Sequence, residues 1–300
     1  MNPSEMPLPA TNGRTPGAAD GGGTAFGCPR NFLDNRFVYI VISPRARGLS
    51  VGVNMNPDKR CNFDCRYCEV NRTEPTRETR LDLPVMSAEL ERTLGLVRSG
   101  RLRERAPYRT TPPALLELRH VTLSGDGEPT LSPDFAEATE AVVHLRARAR
   151  APFFKLVLIT NASGFERPEV AAGLRLLTPS DEVWVKLEAG TQAYLERVNR
   201  PDRPLETILA GILLVARQRP VVIQSLFPSI NREAPPATEI DAYVERLREL
   251  KNAGAQISLV QIYSATRPTL HSECGHLPLR TLSQIAQRVR DGSGLRAEVF

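Results

Sequence analysis

Cys61-Asn62-Phe63-Asp64-Cys65-Arg66-Tyr67-Cys68 sets three cysteines in the spacing C-x3-C-x2-C. Three thiolates this close can ligate three irons of a [4Fe–4S] cube and leave the fourth iron without a protein ligand. An open iron is what a cluster needs if it is to bind and reduce a substrate rather than only pass electrons. Structural zinc draws on the same residue types, but it closes with four ligands, commonly from C-x2-C pairs. The only other cysteines, Cys28 and Cys274, are far away in sequence. The spacing favours the open cluster, with Cys61, Cys65 and Cys68 as its ligands.

Working outward, Phe37 to Ile42 and Leu49 to Asn54 read as strands, and the second runs straight into the cysteine loop. Strands and helices then alternate. Helices are expected at Ser87–Ser99 (with Ser87 as N-cap), Asp134–Arg148, Pro168–Leu177, Thr191–Val198, Leu205–Gln218, Glu239–Asn252 and Leu282–Arg290. Strands are expected at His120–Ser124, Lys155–Thr160, Val183–Glu188, Val221–Phe227 and Ile257–Tyr263, with a last short one at Arg296–Phe300. This alternation is the pattern of parallel β/α winding. With the cysteines on the loop after the first strand of the series, the site lies at the C-terminal ends of the strands. Periodicity alone allows either a barrel or an open doubly wound sheet.

The next strand ends in Ser124-Gly125-Asp126-Gly127-Glu128-Pro129-Thr130, where two glycines let the backbone approach a ligand closely, or simply turn into a helix. In Val183-Trp184-Val185-Lys186-Leu187-Glu188 the aliphatics share one face, and Trp184, Lys186 and Glu188 the other. A charged inner face on a helix-covered strand implies a polar cavity or a buried ion pair. Asn161 closes the following strand position in Thr160-Asn161, as a ligand group or an Asx turn. Gln224 and Ser225 interrupt an apolar strand and read as inward polar groups, and Gln261 and Tyr263 end another strand. His271, Cys274 and His276 match no zinc spacing.

Taken together, C-x3-C-x-aromatic-C with Tyr67 before the last cysteine, G-D-G-E-P-T, T-N-A, V-K-L-E-A-G and Val198-Asn199-Arg200-Pro201 resemble the radical S-adenosylmethionine (SAM) superfamily. The subgroup resembled is that of the wyosine-type tRNA synthetases, without the three further cysteines of their auxiliary cluster. The resemblance covers roughly residues 36–300 and implies an α/β fold, a partial (β/α)6 TIM-like barrel open on one side. It further implies that the open iron of the [4Fe–4S] cluster takes the amino and carboxylate groups of SAM. An electron then splits the sulfonium to methionine and a 5′-deoxyadenosyl radical, which abstracts hydrogen from a substrate. By the same resemblance the backbone at Asp126, Gly127 and Glu128 meets the methionyl amino group, and Lys186 and Glu188 meet the ribose or carboxylate. Asn161 and Gln224 line the pocket, and Gln261, Tyr263 and Tyr67 wall the adenine. An electron donor such as flavodoxin or ferredoxin is implied, and the substrate is a tRNA base, a peptide or a small metabolite. The competing reading is a non-catalytic scaffold with a structural metal centre.

Composition bounds the setting. Residues 1–30, rich in Gly, Pro, Ala and Thr, read as a disordered tail, and 31–300 as the folded core with its C-terminal extension. At 41% hydrophobic and 24% charged residues, the remainder is a globular composition. No run approaches the ~18 apolar residues of a membrane helix. Clustered cysteines and no leader pattern point to a reducing, cytoplasmic setting; a monomer is expected. The net charge of +5 rests on 35 Arg and 4 Lys. The densest arginine run, Arg98, Arg101, Arg103, Arg105 and Arg109, reads as a solvated face rather than an RNA-binding patch.

Overall fold

The computed structural model describes residues 31–148, 153–267 and 269–300. The expected N-terminal tail and Cys28 lie outside the described residues. Strand β1 (Val38–Ser43) turns back onto β2 (Gly48–Asn54), and the cysteine loop leads from β2 to α1 (Leu83–Arg98). Then follow β3 (Leu118–Ser124), α2 (Phe135–Ala147), β4 (Lys155–Thr160), α3 (Pro168–Arg175), β5 (Glu182–Lys186), α4 (Gln192–Val198) and α5 (Leu205–Ala216). The chain continues through β6 (Val221–Leu226), β7 (Ser229–Ile230), α6 (Ala237–Asn252), β8 (Ile257–Tyr263), β9 (Cys274–Gly275), α7 (Leu279–Ser293) and β10 (Ala297–Val299).

The main sheet has the order β1-β2-β3-β4-β5-β6-β8-β10, antiparallel at the first pair and parallel from there on. A doubly wound sheet reverses its strand order at a switch point. Here spatial order follows chain order without reversal, so the helices gather on one face and the sheet curls around the other. Of the two architectures that periodicity allows, the half-barrel is the one formed. The packing agrees: Val51, Val121, Leu156, Val185, Ile223 and Val260 belong to the large core shared with the helices. Val157, Trp184 and Val222 form a separate small cluster, with Ile159 and Leu259 against it. These are the alternate positions of the same strands, so the small cluster floors the barrel interior. The two open edges of the sheet approach one another where Arg47, in the β1–β2 turn, pairs with Glu298 on β10 at 2.8 Å.

One buried ion pair anchors the helix layer. Asp181, fully buried, accepts from Arg146 at 2.5 Å and from the N–H groups of Leu156 and Thr178, both at 2.8 Å. Burial alone would raise its carboxyl, but Arg146 and the backbone donors hold it below the usual range.

Helix α1 begins a turn earlier than the sequence suggests. Its N-cap is Asp82, whose carboxylate accepts from the Val85 N–H at 3.1 Å, and not Ser87. Pro84 sits in the first turn, where its missing N–H has no intrahelical partner to lose. α1 ends at the N-terminal side of the sheet, and short 3-10 turns carry the chain from there to the start of β3. The arginines at 98, 101, 103, 105 and 109 therefore lie at the end of the barrel opposite the cysteine loop. No helix among the described residues is long and apolar enough to cross a membrane.

Candidate functional site

The cysteine loop leaves β2 at the C-terminal mouth of the strands and is held there by another part of the chain. The last turn of a helix leaves carbonyls without partners, and the loop uses those of α4. Arg66 N–H donates to the Val198 carbonyl at 2.8 Å and Asp64 N–H to that of Asn199 at 3.1 Å. Asp202 N–H donates back to the Asn62 carbonyl at 3.1 Å, and Phe63 bridges to Pro201. Side chains complete the cradle: Arg200 pairs with Asp64 at 2.9 Å, and Arg66 Nε donates to the Arg197 carbonyl at 2.8 Å. The Asn62 side-chain oxygen accepts from Asn161 Nδ2 at 2.9 Å and from Ser163 at 3.1 Å. Asn161 thus faces the mouth with its amide engaged by the cysteine loop.

Above the barrel floor the inward side chains form one polar network. Lys186 meets Glu188 at 2.5 Å and donates to the Tyr263 hydroxyl at 2.9 Å. Glu188 also accepts from the Tyr67 hydroxyl and from Asn199 Nδ2, the latter at 2.5 Å. The Lys186 ammonium lies 4.9 Å from the centre of the Tyr67 ring and 5.3 Å from that of Tyr263, within cation–π range. Arg45 stacks on the Tyr263 ring at 4.1 Å. Burial pushes the Lys186 pKa down, but the charge of Glu188 and the bond to Tyr263 outweigh it, so the ammonium stays charged. Burial first, and then the anionic neighbours, push the Tyr67 hydroxyl far up, so it remains a neutral donor. Lys186, Glu188, Tyr67 and Tyr263 are thereby brought together.

The Gly125–Thr130 turn docks against the same loop. Gly125 has φ +137, and a Cβ there would sit 2.1 Å from Asn54 Oδ1. A Cβ on Gly127 would sit 2.0 Å from the Arg60 carbonyl oxygen. Asp126 N–H donates to Asn54 Oδ1 at 3.0 Å, and Asn54 Nδ2 donates back to the Asp126 carboxylate at 2.8 Å. The Glu128 N–H donates to Arg60 at 2.9 Å. The buried Glu128 carboxylate is occupied by protein donors: Thr130 N–H (3.0 Å) and hydroxyl (2.7 Å), the Thr160 hydroxyl (2.5 Å) and Asn161 N–H (2.7 Å). It braces the ends of β3 and β4. Burial raises this carboxyl, and the donors only partly offset that.

Cys61, Cys65 and Cys68 are free, half-buried thiols. Burial pushes Cys61 up to about 11 and Cys65 up to about 12. Asn199 Nδ2 approaches Cys65 Sγ at 3.4 Å, and Arg72 Nη2 approaches Cys68 Sγ at 3.9 Å. An open cleft of about 430 Å³ beside Cys61 is lined by Phe63, Asp64, Arg72 and Arg200 among others. No three His, Cys, Asp or Glu side chains among the described residues converge closely enough to hold one metal ion.

Gln224 and Gln261 are adjacent in the β6–β8 register, both inward, with Gln224 Nε2 donating to Gln261 at 2.9 Å. Ser225, expected to point inward, faces the helices instead: its hydroxyl reaches the Leu187 carbonyl at 2.6 Å and the Tyr243 hydroxyl of α6 at 2.5 Å. Strand alternation permits only one of two consecutive residues on the inner face. Arg267 and residues 269–276 lie over the cysteine loop. Leu270 N–H donates to the Cys68 carbonyl at 3.4 Å, Arg267 pairs with Glu69 at 3.2 Å and Glu273 with Arg66 at 2.5 Å. Cys274 is paired through β9 with Ile230 on β7 rather than joined to His271 and His276 as a metal group. The residues that sequence reasoning passed over are Asn62, Arg72 and Asn199. Only Asn199 left a sequence signal, as a polar residue at the end of an amphipathic helix in V-N-R-P.

The family model of the radical SAM superfamily matches residues 55–238. A UPF0026 protein of Helicobacter pylori is 26% identical over 277 residues, covering 85% of this chain and 80% of that one. A UPF0026 protein of Synechocystis is 29% identical over 178 residues, 58% of this chain and 57% of the relative. The fold is similar to that of TYW1 with a lysine-pyruvate adduct bound (TM-score 0.55, 14% identity, 86% of this chain and 84% of that one). It is also similar to Streptococcus suis SuiB bound to the precursor peptide SuiA (TM-score 0.55, 15% identity, 82% and 47%). A spore photoproduct lyase complexed with dinucleoside spore photoproduct matches at TM-score 0.53 and 11% identity, over 80% of this chain and 73% of that one.

Proposed function

Since the chain belongs to the radical SAM superfamily, we propose that it binds one [4Fe–4S] cluster through Cys61, Cys65 and Cys68 and reductively cleaves SAM to a 5′-deoxyadenosyl radical that abstracts hydrogen from a substrate. The observation that carries this reading is the loop itself. Three free thiols stand at the C-terminal mouth of a half-barrel, on a loop fixed by α4. When bound, the cluster and SAM supply the one-electron chemistry, and the protein binds, orients and excludes side reactions.

Each neighbouring group has a part in this reading. The buried thiols give up their protons on metal binding. Lys186, kept charged by Glu188, is the cation for the SAM carboxylate or ribose, and the backbone at Asp126, Gly127 and Glu128 lies where the amino group is received. Gln261, Tyr263 and Tyr67 wall the adenine, with Gln224 behind Gln261 and Asn161 at the rim. Tyr67 holds Glu188 from the cysteine-loop side. We place the chain beside the wyosine-type tRNA synthetases within the superfamily, on the order of its motifs. It lacks the three additional cysteines of their auxiliary cluster. The protein acts as a cytoplasmic monomer supplied with electrons by a flavodoxin or ferredoxin. Its substrate is a tRNA base, a peptide or a small metabolite.

The test is anaerobic reconstitution of the full chain with iron and sulfide, followed by dithionite and SAM. Four irons per chain and 5′-deoxyadenosine that disappears in Cys65→Ala support the reading. A loaded metal centre whose spectrum does not respond to SAM would favour a structural role. Stoichiometric zinc and no cluster would overturn it.

A further inference from the structure

Two side chains that are not ligands approach the cysteine sulfurs, Asn199 at Cys65 and Arg72 at Cys68. Asn199 is almost fully buried at the end of α4, its N–H bonded to Leu195 at 2.7 Å. Its side-chain amide cannot be turned round. The Glu188 carboxyl already takes the Lys186 ammonium and the Tyr67 hydroxyl as donors, so Nδ2 and not Oδ1 faces it, at 2.5 Å. That orientation leaves the second N–H between Cys65 Sγ at 3.4 Å and the Tyr67 hydroxyl at 3.2 Å, and leaves Oδ1 buried without a partner. An orphaned carbonyl is costly, so the amide's placement follows what its donors face. On the other side of the loop, Arg72 stands 3.9 Å from Cys68 Sγ. Its carboxylate neighbour Asp64 is distant, at 3.5 Å, and is shared with Arg200 at 2.9 Å. The Arg72 Nε is buried with no partner.

We propose that Asn199 and Arg72 set the reduction potential of the cluster. Asn199 does so through an N–H···S hydrogen bond to Cys65, and Arg72 by holding its positive charge beside Cys68. The inference rests on the ligation proposed above. Reduction adds one electron to a centre already surrounded by three thiolates. A hydrogen bond to sulfur and a nearby cation both stabilise the reduced form more than the oxidised one, which raises the potential. Low dielectric around Cys65 strengthens the first effect. Both residues are positioning groups: they touch ligand sulfurs and not the reacting atoms.

The experiment is a potentiometric titration of the reconstituted full chain, followed by electron paramagnetic resonance, on wild type, Asn199→Ala, Arg72→Gln and Arg72→Lys. At one fixed poise, the reduced-to-oxidised ratio is expected to fall about tenfold in Asn199→Ala and in Arg72→Gln. That corresponds to about 59 mV for a one-electron couple. Arg72→Lys, which keeps the charge, should stay within about twofold of wild type, and iron and sulfide contents should be equal in all four. Full loading with unshifted midpoints in Asn199→Ala and Arg72→Gln overturns the inference alone. A wild-type chain that takes up no cluster overturns the ligation, and the inference with it. If Asn199→Ala loads poorly, the wild type decides its part. After exchange into D2O, the reduced cluster should show hyperfine coupling to a deuteron at Cys65 sulfur, and its absence removes Asn199 from the proposal.

Discussion

Lys186 and Glu188, two residues apart on the inner face at the end of β5, form a 2.5 Å ion pair in which the Glu188 side chain is 1% exposed. Removing one member strands the other charge. Glu188→Ala is expected to cost about 3–5 kcal/mol of folding stability, and the double replacement Lys186→Met/Glu188→Leu clearly less. Urea unfolding of the metal-free proteins measures both. A double variant that loses as much as Glu188→Ala, or more, would mean that the stranded ammonium carries no penalty.

Gly127 and Gly95 make an internal comparison. A Cβ at Gly127 meets the Arg60 carbonyl at 2.0 Å, whereas one at Gly95, on α1, meets nothing within 4 Å. Gly127→Ala should destabilise the fold by about 1–3 kcal/mol through overpacking against backbone. Gly95→Ala should stabilise it by roughly 0.5–1 kcal/mol through helix propensity. Thermal melts of the two variants should move in opposite directions.

His120 sits on the barrel floor, edge-on to Trp184 at 5.3 Å, and burial pushes its pKa down to about 4. The unfolded chain protonates this residue near 6.5 while the folded chain does not. Its contribution to stability is therefore whole above pH 6.5 and is lost as pH falls toward 4, on the order of 3 kcal/mol across that window. Unfolding free energies measured from pH 7 to pH 4 should fall less steeply in His120→Phe than in wild type.

Asp181 joins Arg146 of α2 to the N–H groups of Leu156 and Thr178. Asp181→Ala leaves a buried guanidinium and two backbone donors unmatched. A loss of about 3–5 kcal/mol is expected, read as a lower denaturant midpoint.

The arginine run after α1 lies at the far end of the barrel from the cysteine loop. Replacing Arg101, Arg103 and Arg109 by Gln should leave substrate-free SAM cleavage within about twofold of wild type. A larger loss, measured as 5′-deoxyadenosine formed per cluster, would tie that face to the site.

The β/α winding and the end of the strands that carries the site were legible because their determinants are local, while the choice of a half-barrel over an open sheet came from the resemblance alone. Alternation along each strand separated Lys186 and Glu188 from Val183 and Val185, and Cys61 to Cys68 marked which end of the strands is the mouth. What escaped was decided by partners remote in sequence. Glu128 stands in a segment that the resemblance assigns to SAM, yet Thr160 and Asn161 occupy its carboxylate, and nothing near Glu128 announces them. Ser225 and Gln224 are equally polar neighbours, and only the register with β8 tells which one is inside. Asn199 is a helix-terminal asparagine until the cysteine loop is laid on α4. The start of α1 was readable, since Asp82 with Pro84 two residues on is a cap signal, and Ser87 was merely the more familiar choice.

The cradle built by the end of α4 also bears on how the chain would behave without the proposed cluster. Ordering a residue costs roughly 1–2 kcal/mol, so the eight positions from Cys61 to Cys68 represent on the order of 10 kcal/mol. In a zinc finger the incoming ion must supply such a sum, and chelation unfolds the domain. Here Val198, Asn199, Pro201 and Asp202 hold the loop through contacts that involve no thiol. Stripping the metal should yield a natively folded chain with an almost unchanged melting temperature, an empty socket ready to be refilled rather than a domain that must fold anew.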